Sequence, residues 1–282
     1  MQLGCCLTAG SFVPQVGAAA QDGRVTALRE SLQVLHACGY DFAELTAGLL
    51  ADLDEPTFAD LAQAVAAAGV PVRAVNSFIP PALPLVGPEV DLPRVRDYVE
   101  RVMARVAALG GECIVFGSGR ARSIPDGFPH ERAWHQLRAF LSLCDQLAGR
   151  YGLVVAVEPL NRGETNVIFT VSEAIRLVRD GDWAHIRVLA DLYHMHLERE
   201  AFSVLDGVQD LLVHVHVANA ERRAPGLPVA EDVDVPGFFR QLRAIGYDGT
   251  VAIECRFDDF AAEVGQAAAY LRSAWAQAVD GR

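Results

Sequence analysis

Eight times along this chain a short apolar run gives way to a stretch with helical periodicity, and that alternation limits the fold more than any motif does. The runs are "LGCCLT", "DFAEL", "PVRAVNSF", "ECIVFG", "LVVAVE", "IRVLAD", "LLVHVHVA" and "TVAIEC". Between them lie patterns such as "RVTALRESLQVLHACG", which stops at Gly39, "LPRVRDYVERVMARVAALG", and a weaker one, "HLEREAFSVLDGV". Near-continuous apolar strands between amphipathic helices imply parallel strands with right-handed crossovers and both sheet faces covered. Eight such units close into an α/β fold of the (β/α)8 TIM-barrel type, and 282 residues suit one such barrel. A doubly wound open sheet is the alternative, but it normally carries a Gly-rich phosphate loop after its first strand, and none stands here. With no linker or low-complexity segment, residues 1–282 are expected to form a single barrel domain. The long loops after strands three and four, Ile79 to Asp91 and Gly117 to Pro129, fall on the catalytic face of such a barrel, positioned to act as lids.

Hydrophobic residues make up 51% of the chain, much of it Ala on helical patterns. No run approaches the ~18 apolar residues of a membrane helix, so no membrane partner is expected. The start "MQLGCCLTAG" lacks the basic segment of a signal peptide, which points to a cytoplasmic protein. The six cysteines show no C-x-x-C spacing and mostly sit in apolar runs, which fits buried free thiols in a reducing compartment. A net charge of -12 argues against nucleic acid as a partner.

The apolar run Val154–Val157 stops at Glu158, an acid that a core cannot tolerate unpaired. The next three strands do something similar: "IRVLAD" ends in Asp191, "LLVHVHVA" carries His214 and His216, and "VAIEC" ends in Glu254. In a barrel those ends ring one mouth. Each residue alone has a plain explanation, such as a helix cap for an acid or a satisfied core position for a histidine. Together, in register on neighbouring strands, they form an oxygen-rich set with one imidazole. A divalent cation would remove the repulsion between their carboxylates. Such a set suits Mn²⁺, Mg²⁺ or Co²⁺ better than a structural zinc.

The stretches "EPLNRGETN", "DLYHMHLE", "HVHVANAERRAPG" and "AIEC" resemble the sugar isomerase/epimerase superfamily of xylose isomerase-like barrels, most of all its ketose 3-epimerase branch. The resemblance implies a divalent metal, Mn²⁺ first with Co²⁺, Mg²⁺, Fe²⁺ or Zn²⁺ as alternatives, held by Glu158, Asp191, His216 and Glu254. It implies substrate contacts from Glu164, His194 and Arg222, with Glu44 a less specific substrate-side acid. Glu158 and Glu254 are then the catalytic pair that removes and returns a proton beside a ketose carbonyl, through an enediolate. Relatives often pair through the outer helices, so a homodimer is expected.

Supporting residues carry alternatives. Glu164 has Arg162 nearby as an ion-pair partner, His196 is read as a neighbour of the site, and of Arg222 and Arg223 only the former has the family spacing. Phe12, Asn76, Phe78 and Phe116 are either pocket walls or core. The "GSGRAR" run offers loop amides with Arg120 or Arg122 for a phosphate, or simply a turn. Rival activities on the same ligands are aldose–ketose or hydroxypyruvate isomerisation and dehydration of an inosose-type polyol ketone. A zinc phosphoesterase of the DNA-repair type needs extra histidines after strands three and four, where this chain reads "VNSF" and "VFGSG". A sugar-binding protein without catalysis is the remaining alternative.

Overall fold

The computed structural model describes residues 1–7 and 21–278. Eight parallel strands close into a barrel in chain order. They are β1 (Gln2–Leu7), β2 (Phe42–Thr46), β3 (Val72–Asn76), β4 (Cys113–Phe116), β5 (Val154–Val157), β6 (Ile186–Asp191), β7 (Leu212–Val217) and β8 (Thr250–Ile253). The larger outer helices are α1 (Gln21–Ala37), α3 (Glu55–Ala67), α4 (Leu92–Ala108), α6 (His130–Tyr151), α7 (Val171–Gly181), α9 (Val235–Ala244) and α10 (Phe260–Gln277). Short helices α2 (Ala47–Asp52), α5 (Gly119–Arg122) and α8 (Leu192–Leu197) follow β2, β4 and β6 at the carboxyl ends of the strands. Among the described residues no helix is long and apolar enough to cross a membrane.

Local chemistry sets the element ends. Asp91, Thr170 and Asp259 cap α4, α7 and α10 through their side chains. Gly39 (φ 73°) and Gly152 (φ 69°) take the left-handed conformation that ends a helix and turns the chain back to the next strand.

The apolar core lies in two places. A large shell fills the space between strands and helices, and smaller clusters lie inside the barrel. The inner clusters follow from strand alternation, since every second side chain points inward. Phe42 fills the barrel floor because its neighbour on β1 is Gly4; a Cβ there would overlap the Phe42 ring. Above this floor the inward positions turn polar.

One expected element is absent. Residues 196–208 do not form one helix. α8 begins directly after β6, Arg199 adopts a left-handed φ of 54°, and a 3-10 turn follows at Phe202–Leu205. Two competing bonds explain the difference. Asp191 accepts from the Tyr193 and His194 N–H groups and starts α8 early. Glu200 is drawn away to accept from Val171 N, Ser172 N and Ser172 Oγ at the start of α7.

The two long loops are tied down. Ile79 N donates to Ser118 Oγ at 2.8 Å, and Leu85 N to the Ala121 carbonyl at 2.8 Å. Gln136 bonds Gly87 through both its amide atoms, and Asn166 bonds Ile124 in the same reciprocal way.

Candidate metal centre

Glu158, Asp191, His216 and Glu254, from the ends of four consecutive strands, converge. Each offers one ligand atom, and these atoms lie within 4.8 Å of one another. All four residues are buried. His216 Nδ1 is 3.2 Å from Glu158 Oε1, 3.8 Å from Glu254 Oε2 and 3.9 Å from Asp191 Oδ2. Asp191 divides its carboxylate: Oδ1 caps α8, while Oδ2 faces the cluster.

Three carboxylates facing one imidazole leave negative charge in excess. Burial raises the Glu254 carboxyl above its ordinary range; His216 and Arg222 oppose this, and the charges of Glu158 and Asp191 add to it. For His216, burial acts against the charged form, but the Glu44 and Glu254 carboxylates outweigh it and hold the imidazole well above its usual range. This donor set fits a divalent cation, because a cation at the convergence point relieves the strain that protons otherwise have to absorb.

Glu44 is placed differently from the substrate-side role that the family resemblance implied. It is fully buried and accepts hydrogen bonds from His214 Nε2 at 2.8 Å and His216 Nε2 at 3.1 Å. Burial pushes its carboxyl up, yet the two imidazoles win and hold it well below the usual range. His214 in turn meets Thr250 Oγ1 at 2.7 Å. The inward pleat of β2 puts Glu44 against the Nε2 edge of His216, opposite the Nδ1 edge that faces Glu158, where a carboxylate can orient an imidazole.

The expected substrate-side residues line up on the other flank. Arg222 donates to Glu164 Oε1 at 2.7 Å and to Glu254 Oε2 at 3.1 Å, and lies over the Tyr193 ring. Arg223 turns away to Asp258 and Glu263. Arg162 pairs with Glu198 and stacks on Phe169, which leaves Glu164 to Arg222. His194 Nδ1 accepts from the Asn161 backbone N–H at 3.2 Å, so its proton sits on Nε2. That Nε2 is buried, makes no hydrogen bond and faces the cluster, with Asp191 Oδ2 3.9 Å away. His196 lines a separate pocket.

Asn161 and Asn219, which do not stand out in the sequence, brace the residues of this flank. Asn161 fixes His194, and its Nδ2 also donates to Glu164 Oε1 at 3.1 Å. Asn219 is fully buried; its Oδ1 accepts from Glu221 N and Arg223 N, which shapes the turn that delivers Arg222. An asparagine three residues past Glu158 was the visible signal for the first. Asn76, read as a wall or core residue, donates to Glu254 Oε1 at 2.9 Å. Phe78 and Phe116 are core, packed on Phe140, and Phe12 lies outside the described residues.

The "GSGRAR" run is not an anion loop at Arg122. That guanidinium is fully buried and donates to the Phe116 and Ile168 carbonyls. The glycines serve the cluster directly. A Cβ at Gly117 would overlap Glu158 Oε2, and one at Gly119 would overlap the Glu164 carbonyl oxygen. These two replacements are expected to differ in kind. Gly117→Ala keeps the fold, because only a rotatable side-chain tip is in its way, but it displaces Glu158 and weakens Mn²⁺ binding about tenfold. Gly119→Ala meets backbone and lowers the melting temperature instead. Calorimetric Mn²⁺ titration beside thermal unfolding of both variants checks this.

A cavity of about 480 Å³ opens above the cluster, lined among others by Glu158, Glu164, Arg222, Glu254, Ile79 and Arg120. Ser77 (φ 49°), Ser118 (φ 45°) and Arg222 (φ 56°) border it in the left-handed region, so backbone strain gathers at this mouth.

A family model described as "Xylose isomerase-like TIM barrel" matches residues 32–274. The chain belongs to the xylose isomerase-like TIM barrel family. Within it, the chain is 33% identical over 184 residues to the 3-dehydro-D-guloside 4-epimerase of Escherichia coli, covering 62% of this chain and 69% of that protein. It is 33% identical over 108 residues to the ketose 3-epimerase of Arthrobacter globiformis, covering 38% of this chain but only 36% of that one. Among solved structures, the E. coli 3-keto-D-glucoside 4-epimerase superposes with a TM-score of 0.76 at 25% identity, over 97% of this chain and 99% of that one. These relatives of the xylose isomerase-like barrel are sugar epimerases by name.

Proposed function

We propose that this protein is a divalent-metal-dependent sugar epimerase that inverts a carbon next to a sugar carbonyl, with a ketose inverted at C3 as the leading case. The reactions named for its relatives share that step: a ketose 3-epimerase inverts C3 beside C2, and a 3-dehydro-sugar 4-epimerase inverts C4 beside C3. The observation that carries the reading is the convergence of Glu158, Asp191, His216 and Glu254, with His194 Nε2 beside them making no hydrogen bond of its own.

In this reading those four side chains hold the cation. Their mixture of carboxylates and imidazole favours Mn²⁺, with Co²⁺ and Mg²⁺ close behind. The bound metal supplies Lewis-acid polarisation of the carbonyl, which makes the adjacent C–H proton removable.

The rest of the chemistry belongs to side chains. One of Glu158 and Glu254 takes the proton, and the other returns one to the opposite face. Glu254 is steadied for this by Asn76 and Arg222, while Glu158 has room only because Gly117 lacks a side chain. Positioned carboxylates of this kind contribute about 10²–10⁴-fold. His194 Nε2–H donates to the sugar oxygen on which charge develops in the enediolate. Glu164, held by Arg222 and Asn161, accepts from a hydroxyl further along the sugar.

The test is to incubate the Mn²⁺-loaded protein with ketoses and keto-glycosides in D₂O and locate the label by NMR. Deuterium at the inverted carbon next to the carbonyl is the expected result. Label at C1 or C2 of an aldose product would show an isomerase instead, and loss of water a dehydratase.

A further inference from the structure

We propose that Cys6 is a soft donor at this centre, so that the same end of the barrel also takes a thiophilic divalent cation of the Zn²⁺ or Cd²⁺ class through Cys6, His216 and Glu254. The inference rests on the reading of the cluster as a metal centre.

The topology brings Cys6 there. β1 lies between β2 and β8, with Cys6 paired to Glu44 and Cys5 to Ile253. The pleat turns Cys6 inward, where it packs with Phe42 and Ala252 inside the barrel. Cys6, His216 and Glu254 each offer one donor atom, and these atoms lie within 4.8 Å of one another. The other five cysteines take part in no such group among the described residues. Cys5, Cys144 and Cys255 belong to the shell outside the barrel.

Two donor sets therefore overlap on His216 and Glu254. One adds Glu158 and Asp191 and is rich in hard oxygen; the other adds a sulfur. Softness decides between them: Mn²⁺ and Mg²⁺ favour the carboxylates, whereas Zn²⁺ and Cd²⁺ gain from a thiolate. When the sulfur–metal bond forms, the Cys6 S–H bond breaks and its proton passes to solvent; no electrons are exchanged. Because the sets share two donors, one cation excludes the other. A thiophilic ion is then an inhibitor that pulls His216 and Glu254 toward β1.

The experiment titrates the metal-free, full-length protein with Cd²⁺ and records near-ultraviolet absorbance and proton release. It is repeated with Cys6→Ser, with Cys38→Ser and after saturation with Mn²⁺. Wild type and Cys38→Ser are expected to develop a thiolate-to-cadmium charge-transfer band with release of a proton, and prior Mn²⁺ suppresses it. Cys6→Ser loses the band and binds Cd²⁺ at least about tenfold more weakly, while its Mn²⁺ affinity stays within about twofold. A band that survives Cys6→Ser, or that Mn²⁺ leaves untouched, overturns the proposal. So does Mn²⁺ binding by wild type with no cadmium–thiolate band. Failure of wild type to bind Mn²⁺ removes the metal-centre reading itself, and this inference with it.

Discussion

Glu254→Gln is expected to cut turnover by about 10²–10⁴-fold while the barrel stays folded. The replacement has the same shape, so packing around this buried position is preserved. Its chemistry is not preserved. The carboxylate accepts from Asn76 Nδ2 on one oxygen and from Arg222 on the other. An amide can satisfy only one of those donors, because its NH₂ end faces the second as another donor. It also removes one of the three acids at the convergence point and, in the proposed mechanism, one of the two groups that move the proton. Turnover followed by NMR, beside circular dichroism and thermal unfolding, separates lost chemistry from lost fold. Unchanged turnover would remove Glu254 from the catalytic pair, whereas sugar binding by wild type with no turnover at all would favour a sugar-binding protein without catalysis.

The second large effect is expected at Glu44. Glu44→Gln should weaken Mn²⁺ binding about 10–100-fold, the usual cost of losing the carboxylate that orients a metal-bound imidazole. The carboxylate lies between His214 and His216 in the barrel interior, and its charge faces the Nε2 of each ring. Removing that charge frees His216 to turn its bonding nitrogen away from Glu158 and Asp191. It also takes from buried His216 the carboxylate that holds its charge and leaves His214 Nε2 to share a single amide acceptor, so the melting temperature should fall. Metal titration and KM decide the role. An orienting residue changes Mn²⁺ affinity and leaves KM for sugar at saturating metal nearly unchanged. A residue in contact with sugar raises KM and leaves metal affinity alone.

These two acids mark the boundary of what the sequence discloses. Glu254, like Glu158 and Asp191, is legible because it ends an apolar run: the pattern breaks where the strand leaves the core, and the barrel gathers such breaks at one rim. Glu44 ends a run as well, yet its function depends on facing inward, beneath the rim. That in turn depends on strand register, and the β2–β3 pairing shifts between Ala43 and Glu44. Local periodicity contains no record of such a shift. Cys6 and His214 were obscured for the same reason, each resembling an ordinary core position. Asn161 and Asn219 act through loop geometry, where one backbone N–H or one turn decides the outcome. The glycines of "GSGRAR" were read for what their amides offer, whereas their use lies in the side chain they lack. The segment after β6 failed as a helix because Asp191 and Glu200 are bonded to neighbours that sequence distance conceals.

The reciprocal amide bonds at the mouth also bear on how this scaffold can change its diet. Gln136 grips Gly87, and Asn166 grips Ile124, so the segments after β3, β4 and β5 are stitched into one frame. Transplanting any one of them from another barrel would break these half-buried bonds, at a cost of about 0.5–1.5 kcal/mol for each. New substrate preference here has to arrive as a matched trio.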